Sequence, residues 1–167
     1  MSFWKRHAKM PSDLHNELAA IGAAWLKRNG FAVVATDLAA LGCRERADVV
    51  GFRSQCSATI ESKVSRSDFL ADRRKPHRQA GGIGLYRFYI CPSGLISVDE
   101  LPARWGLLYV DGKRVTEVAR PRGNIWPGAK PNLAGWSEWQ HEADLDAERS
   151  VLFSISRRLA LGQSITK

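Results

Sequence analysis

The chain has 167 residues, 44% of them hydrophobic and 25% charged, and carries a formal net charge of +8. That composition fits one folded domain with a real core, excludes a disordered or fibrous chain, and contains no apolar run of membrane-spanning length. Three widely spaced cysteines, Cys43, Cys56 and Cys91, make neither a disulfide framework nor a paired zinc knuckle and read as reduced thiols.

The first residues lack the apolar stretch of a secretory signal, so an intracellular protein is expected. Residues 1–11 read as a basic arm ending at Pro11. Ser12 offers an N-cap and Asp13 a first-turn acid. Leu14, Leu18, Ile21 and Trp25 then recur at helical spacing, and Asn29-Gly30 is a stop. Glu17 lies on or beside that apolar stripe, where an acid needs a partner; His15 and Asn16 are expected to point elsewhere. A short apolar strand is expected over 31–36, then a loop, then strands over 46–52 and 57–64 joined by a turn at Ser54-Gln55.

In the strand over 57–64 alternate residues share a face, so Glu61 and Lys63 project to one side and Ala58, Ile60, Ser62 and Val64 to the other. Asp48 sits at the start of the preceding strand. If the two strands pair, Asp48, Glu61 and Lys63 converge. Two carboxylates can hold a hard divalent cation, and an ammonium beside them can meet a phosphate or position a water. That combination suits phosphodiester hydrolysis.

A capped helix is expected next, with Ser67 as cap, Asp68 in its first turn and Phe69 and Leu70 on its buried side. Pro76 breaks or restarts it before Gly81-Gly82. From Lys63 to Arg87 seven basic residues face two acids, which places +5 of the net charge in that span. It reads as a polyanion-binding surface, with a solvated basic helix face as the bland alternative. His77 reads as a surface or phosphate contact. Strands follow over 85–91 and 105–110, and Asp111-Gly112 is a hairpin turn leading to a return strand over 115–118. Residues 121–167 read as a linker rich in Pro and Gly, then a helix capped by Ser137 with Leu145, Leu152, Ile155 and Leu159 available for packing. Trp126, Trp136 and Trp139 either anchor this segment or stack on bases.

The acid at Asp48, the Glu61-Ser62-Lys63 triplet and the upstream Glu17 resemble, in order and spacing, the PD-(D/E)xK nuclease superfamily, with Ala47 where that name implies proline. Asp68-Phe69, Ala71-Asp72, the basic cluster, Cys91-Pro92, Leu101-Pro102 and Trp105-Gly106-Leu107-Leu108 extend the resemblance over residues 12–120. They are similar to the MmcB-like, DNA-repair-associated branch and its phage or prophage relatives. The resemblance implies an α/β restriction-endonuclease-like core (αβββαβ, a mixed central sheet flanked by helices), here with a C-terminal hairpin and helix. It implies Mg²⁺-dependent hydrolysis of DNA, with Mn²⁺ able to substitute. Asp48, Glu61 and the Ser62 carbonyl would hold the metal. Glu17 would act through a metal-bound water, and Lys63 would position the nucleophile or stabilise the developing charge. Arg66, Arg73, Arg74, Lys75, Arg78 and Gln79 would contact DNA. It further implies a nucleoid-associated bacterial or phage protein and leaves a homodimer open. The rival readings are a nucleic-acid-binding module that keeps the fold without cutting, and a protein whose basic face meets an acidic partner.

Overall fold

The computed structural model describes residues 10–76 and 81–167. The chain is α/β. Helix α1 (Pro11–Arg28) precedes β1 (Val33–Thr36), β2 (Val49–Phe52) and β3 (Ser57–Ser62); α2 (Arg66–Asp72) leads to β4 (Tyr86–Pro92), β5 (Trp105–Asp111) and β6 (Arg114–Ala119), and α3 (Leu145–Ala160) follows. The six strands form one mixed sheet in chain order. The pairs β1–β2, β2–β3 and β5–β6 are antiparallel, and β3–β4 and β4–β5 are parallel. Each parallel step needs a long crossover, and α2 lies within the first. The β5–β6 hairpin turns through Gly112 at φ +60°, a left-handed conformation that glycine adopts without strain. Among the described residues no helix is long and apolar enough to cross a membrane.

Strand alternation divides the core. Val49, Ala58, Ile60, Phe88 and Ile90 pack under α1 with Leu18, Trp25 and Leu26. Val50 and Phe52 face the other way and pack with Ala147, Val151 and Ile155 of α3. Phe69 of α2 packs on Tyr89, Cys91, Trp105 and Leu107. Helix α1 comes very close to β3, because a Cβ built at Gly22 would lie 3.2 Å from Ile60 Cδ1. Gly51 in β2 allows a similar approach, its built Cβ lying 3.0 Å from Leu26 Cδ1.

Helix ends differ from the sequence expectation in a consistent way. Met10, not Ser12, occupies the N-cap of α1 with Pro11 in its first turn, where the missing N–H costs nothing. Ser65, not Ser67, caps α2, its hydroxyl accepting from the Asp68 amide at 3.2 Å. Asp144, not Ser137, caps α3, and Ser137 begins a 3₁₀ turn. Of the four residues expected to pack α3, only Ile155 is buried; Leu145, Leu152 and Leu159 are exposed. The core is reached instead by Ala147 and Val151, with the carboxylate of Glu148 beside them. The tryptophans are settled in favour of anchoring: Trp126 and Trp136 are buried in the α1 cluster and Trp139 packs against it. Trp126 makes edge contacts with Trp25, Phe31, Tyr86, Phe88 and Trp136, which leaves it no face for a base. Past α3, the Thr36 amide donates to the Ile165 carbonyl at 3.0 Å, so the last residues run along the open side of β1.

Candidate functional site

The antiparallel register pairs Val49 with Ile60, and one step further along both strands sets Asp48 opposite Glu61. Asp48 is fixed from two directions. Its Oδ2 accepts from the Ser62 backbone amide at 2.8 Å, and its Oδ1 lies 3.2 Å from His15 Nε2. The strand alternation holds: Ala58, Ile60 and Val64 join the apolar cluster under α1. On the opposite face Lys63 Nζ lies 3.8 Å from Glu61 Oε2. Asp48, Glu61 and Lys63 thus lie at the same end of β2 and β3, Asp48 held by the Ser62 amide and Lys63 beside Glu61.

Lys63 is 3% exposed, a position that an ammonium tolerates only among opposite charges. Helix α2 supplies them, with Asp72 Oδ1 at 3.3 Å and Asp68 Oδ1 at 3.9 Å. Asp72 is itself buried, bonded to the Tyr89 hydroxyl at 2.9 Å and paired with Lys75 Nζ at 3.1 Å. Residues 68 and 72 are four apart and so share a helix face, which aims both acids at the lysine. That spacing is the signal by which Asp72 is recognisable in the sequence as more than a surface charge. Tyr89 is reached only through the parallel pairing of β3 with β4, in which it stands beside Glu61.

His15 is the other residue that sequence reasoning passed over, and its expected orientation is corrected. It reaches Asp48, whereas Glu17, about 200° further round the helix, lines a groove with Ile21, Arg28 and the hairpin residue Lys113. Glu17 therefore does not share the Asp48 side of α1. His15, Asn16 and Asp48 line a cleft of about 260 Å³ together with Thr36, Asp37 and Lys167. Lys167 pairs with Asp37, and this hydrogen bond is the main reason that the Asp37 carboxyl is held below its ordinary range.

The basic span divides once placed. Lys63 and Arg87 are buried, and Arg87 is structural, donating to the carbonyls of Gly84 and Gly81 at 2.9 and 2.7 Å. Arg66 is exposed but bonded through both terminal nitrogens to Glu100, whose carboxyl is pulled down to about 2, chiefly by that bond. Arg73, Arg74 and Lys75 lie exposed just beyond α2, with Arg73 against the Phe69 ring. His77, Arg78 and Gln79 lie outside the described residues. Cys56 and Cys91 are free and buried, and burial pushes each thiol up to about 11, so neither is a thiolate at neutral pH.

Among the described residues no three His, Cys, Asp or Glu side chains form a metal cage by themselves. The oxygen donors fit a hard divalent cation nonetheless. Asp48 stands one residue before β2, its carboxylate on the Ser62 amide and so next to Glu61 at the end of β3. Such a pair can share a cation with backbone carbonyls and water. Access is asymmetric: Asp48 opens on the cleft, while Glu61 and Lys63 are buried.

No family model matches the chain, and no curated protein does either. Among solved structures it is similar to the SPO1766 protein of unknown function from Silicibacter pomeroyi, at 19% identity and a TM-score of 0.58, over 88% of this chain and 87% of that one. At that identity the likeness is one of fold: an α/β chain whose six-stranded mixed sheet is flanked by helices.

Proposed function

We propose that this chain is a metal-dependent nuclease of the PD-(D/E)xK type, hydrolysing DNA phosphodiester bonds in repair, recombination or phage DNA processing inside the cell. The observation that carries this reading is the placement of Asp48 opposite Glu61, with Lys63 beside Glu61 on the same face of β3. The order α1-β1-β2-β3-α2-β4 and the mixed sheet support the restriction-endonuclease-like core that the resemblance implies. In this reading Asp48, Glu61 and the Ser62 carbonyl hold Mg²⁺ or Mn²⁺, which when bound polarises the scissile phosphate and lowers the pKa of water. The residues of the chain do the rest. The Ser62 amide and His15 orient Asp48, and the α2 acids hold the Lys63 ammonium where it steadies the attacking water or the charge growing on phosphorus-bound oxygen. Arg73, Arg74 and Lys75 take flanking phosphates, giving salt-dependent binding with little sequence preference.

Burial of Glu61 and Lys63 favours a second reading, a DNA-binding module that keeps the fold without cutting. Incubating labelled supercoiled, linear, single-stranded and branched DNA with Mg²⁺ or Mn²⁺, beside EDTA and Asp48→Asn controls, separates the two. Metal-dependent cleavage lost in Asp48→Asn supports the nuclease. Binding without cleavage supports the module, and cleavage that survives Asp48→Asn places the chemistry elsewhere.

A further inference from the structure

The cleft beside Asp48 has a wall that comes from the far end of the chain. Helix α3 stops at Gly162, whose φ of +69° is left-handed, and the Gln163 amide closes the turn on the Arg158 carbonyl at 2.9 Å. The segment then runs back along β1. The Ile165 carbonyl accepts from the Thr36 amide, and the Ile165 side chain packs against the Val50 and Phe52 cluster. The Lys167 amide donates to the Thr36 hydroxyl at 2.8 Å. These contacts set Lys167 at the cleft, where its ammonium pairs with Asp37.

Asp37 is itself built into the site. Its amide donates to the Asp48 carbonyl at 2.9 Å, one step past the Thr36–Val49 pair of the β1–β2 ladder. Its φ of +50° is left-handed, a conformation that aspartate adopts more readily than most residues. The two carboxylate oxygens go to different cations, Oδ1 to Arg46 Nε at 2.7 Å and Oδ2 to Lys167 Nζ. One acid therefore holds two cations, and the trio carries one positive charge in excess. The Arg46 and Lys167 side chains are 55% and 68% exposed, so an anion can reach them without displacing the carboxylate.

Cations are distributed unequally about Asp48. Lys63 is buried and enclosed by Glu61, Asp68 and Asp72, so its charge is committed there. Among the described residues that line the cleft, Lys167 is the only lysine or arginine. A phosphate that enters beside Asp48 and Asp37 needs a cation to offset both acids, and Lys167 is in place to supply it. Asn16, exposed on α1 at the same cleft, adds an amide that can donate to the same phosphate.

We propose that Lys167 is a DNA-contacting residue that takes a backbone phosphate of the strand entering the Asp48 cleft, with Asp37 anchoring its ammonium. The assignment deepens the reading of this chain as a protein that acts on DNA, and it rests on that reading. The competing role is a clasp, in which the pair with Asp37 only fastens the segment after α3 to β1.

Fluorescence anisotropy of labelled duplex DNA with the whole chain, in EDTA and across a salt series, tests it. Lys167→Gln keeps the length of the side chain and removes its charge, so the slope of log K against log salt should become shallower by about 0.9, the contribution of one phosphate. Lys167→Arg should restore the parent slope. Hydrogen exchange at the Thr36 amide, which donates to the Ile165 carbonyl, shows whether the segment still lies on β1, and its protection should be the same in both variants. A parent slope in Lys167→Gln overturns the proposal. So does a slope that falls as far in Lys167→Arg, or one that falls only together with Thr36 protection, which is the behaviour of a clasp. A parent that binds no DNA at any salt overturns the DNA reading and this assignment with it. Binding that responds to Arg73 and Arg74 but not to Lys167 overturns this assignment alone.

Discussion

Strand β3 carries a buried carboxylate against each of its ends, and the two are held in opposite ways. At the Ser57 end, Glu148 of α3 accepts from the Ser57 hydroxyl and from the Gly84 amide at 2.8 Å, while the Leu85 amide donates to the same hydroxyl at 2.9 Å. Neutral donors close that end, so the acid works as a fastener between α3, β3 and the loop before β4. At the Glu61 end the partners are charges: an ammonium at 3.8 Å, two further acids around it, and Asp48 across the strand pair opening on a cleft. A network of neutral hydrogen bonds fixes a structure, whereas crowded charge of both signs costs stability and is kept where chemistry uses it. Burial alone therefore does not identify a functional acid. The kind of partner separates the two ends, and under the nuclease reading it is the charged end that carries the chemistry.

The largest effect that separates the two ends is on activity. Under the nuclease reading, Asp48→Asn should lower metal-dependent cleavage by at least about 10³-fold, roughly 4 kcal/mol of barrier. Its thermal midpoint should barely move, because asparagine can still accept the Ser62 amide. Mg²⁺ at about ten times its Kd should stabilise the parent by about 1.4 kcal/mol and leave the variant unmoved; calorimetry with and without EDTA reads this. Lys63→Met should act on folding as well, costing about 3–5 kcal/mol, because it leaves Glu61 and Asp72 buried without their shared ammonium. A Lys63→Met protein as stable as the parent would show that the charges at this end are better solvated than their burial implies. At the other end Glu148→Ala should cost ~1–3 kcal/mol through the orphaned Gly84 amide and Ser57 hydroxyl, while cleavage per folded molecule stays unchanged. Loss of cleavage in folded Glu148→Ala would erase the distinction between the ends.

Much of the Glu61 end was legible in the sequence because β-strand geometry is periodic. Once residues 57–62 are a strand, Glu61 and Lys63 must share a face, and the short turn at Ser54-Gln55 brings Asp48 back beside them. The partners that come from helices were not legible in the same way. The apolar stripe predicts Glu17 beside the site and His15 pointing elsewhere, and the actual rotation of α1 reverses the two. That rotation is set by small residues, Ala19, Gly22 and Ala23, which carry little hydrophobic weight in a sequence pattern yet let the helix sit close on β3. The same blindness misplaced the packing face of α3, where Ala147 and Val151 go inward and the larger leucines do not. Glu148 was hidden for a further reason: its role depends on Ser57 and Gly84, far away in sequence and joined to it only by the fold.

The exposed basic residues just beyond α2 yield smaller effects. Under the nuclease reading, replacing Arg73 and Arg74 with alanine should reduce the slope of log K for DNA against log salt by about 2, close to 0.9 for each phosphate no longer neutralised, while the fold stays intact. Fluorescence anisotropy across a salt series measures that slope, and an unchanged value would remove both residues from the DNA surface.

The smallest effect concerns Glu100, a half-buried acid that differs from both buried ones. Arg66, and then the amide and hydroxyl of Ser97, hold its carboxyl at about 2 against an ordinary 4.5. A depressed folded-state pKa means that the pair stabilises the fold fully above pH 4.5 and that this contribution is lost as pH falls toward 2. The thermal midpoints of the parent and Glu100→Gln should therefore differ by a constant amount at neutral pH and converge through that acid window. A difference that persists below it would mean that Glu100 acts through packing and not through charge. The same substitution has a second consequence under the nuclease reading. It frees the Arg66 guanidinium, now occupied through both terminal nitrogens, for one more phosphate, so the salt slope of DNA binding should steepen by about 0.9. An unchanged slope would leave Arg66 as a brace between α2 and the 3₁₀ turn of Glu100 and confine phosphate binding to the residues beyond α2.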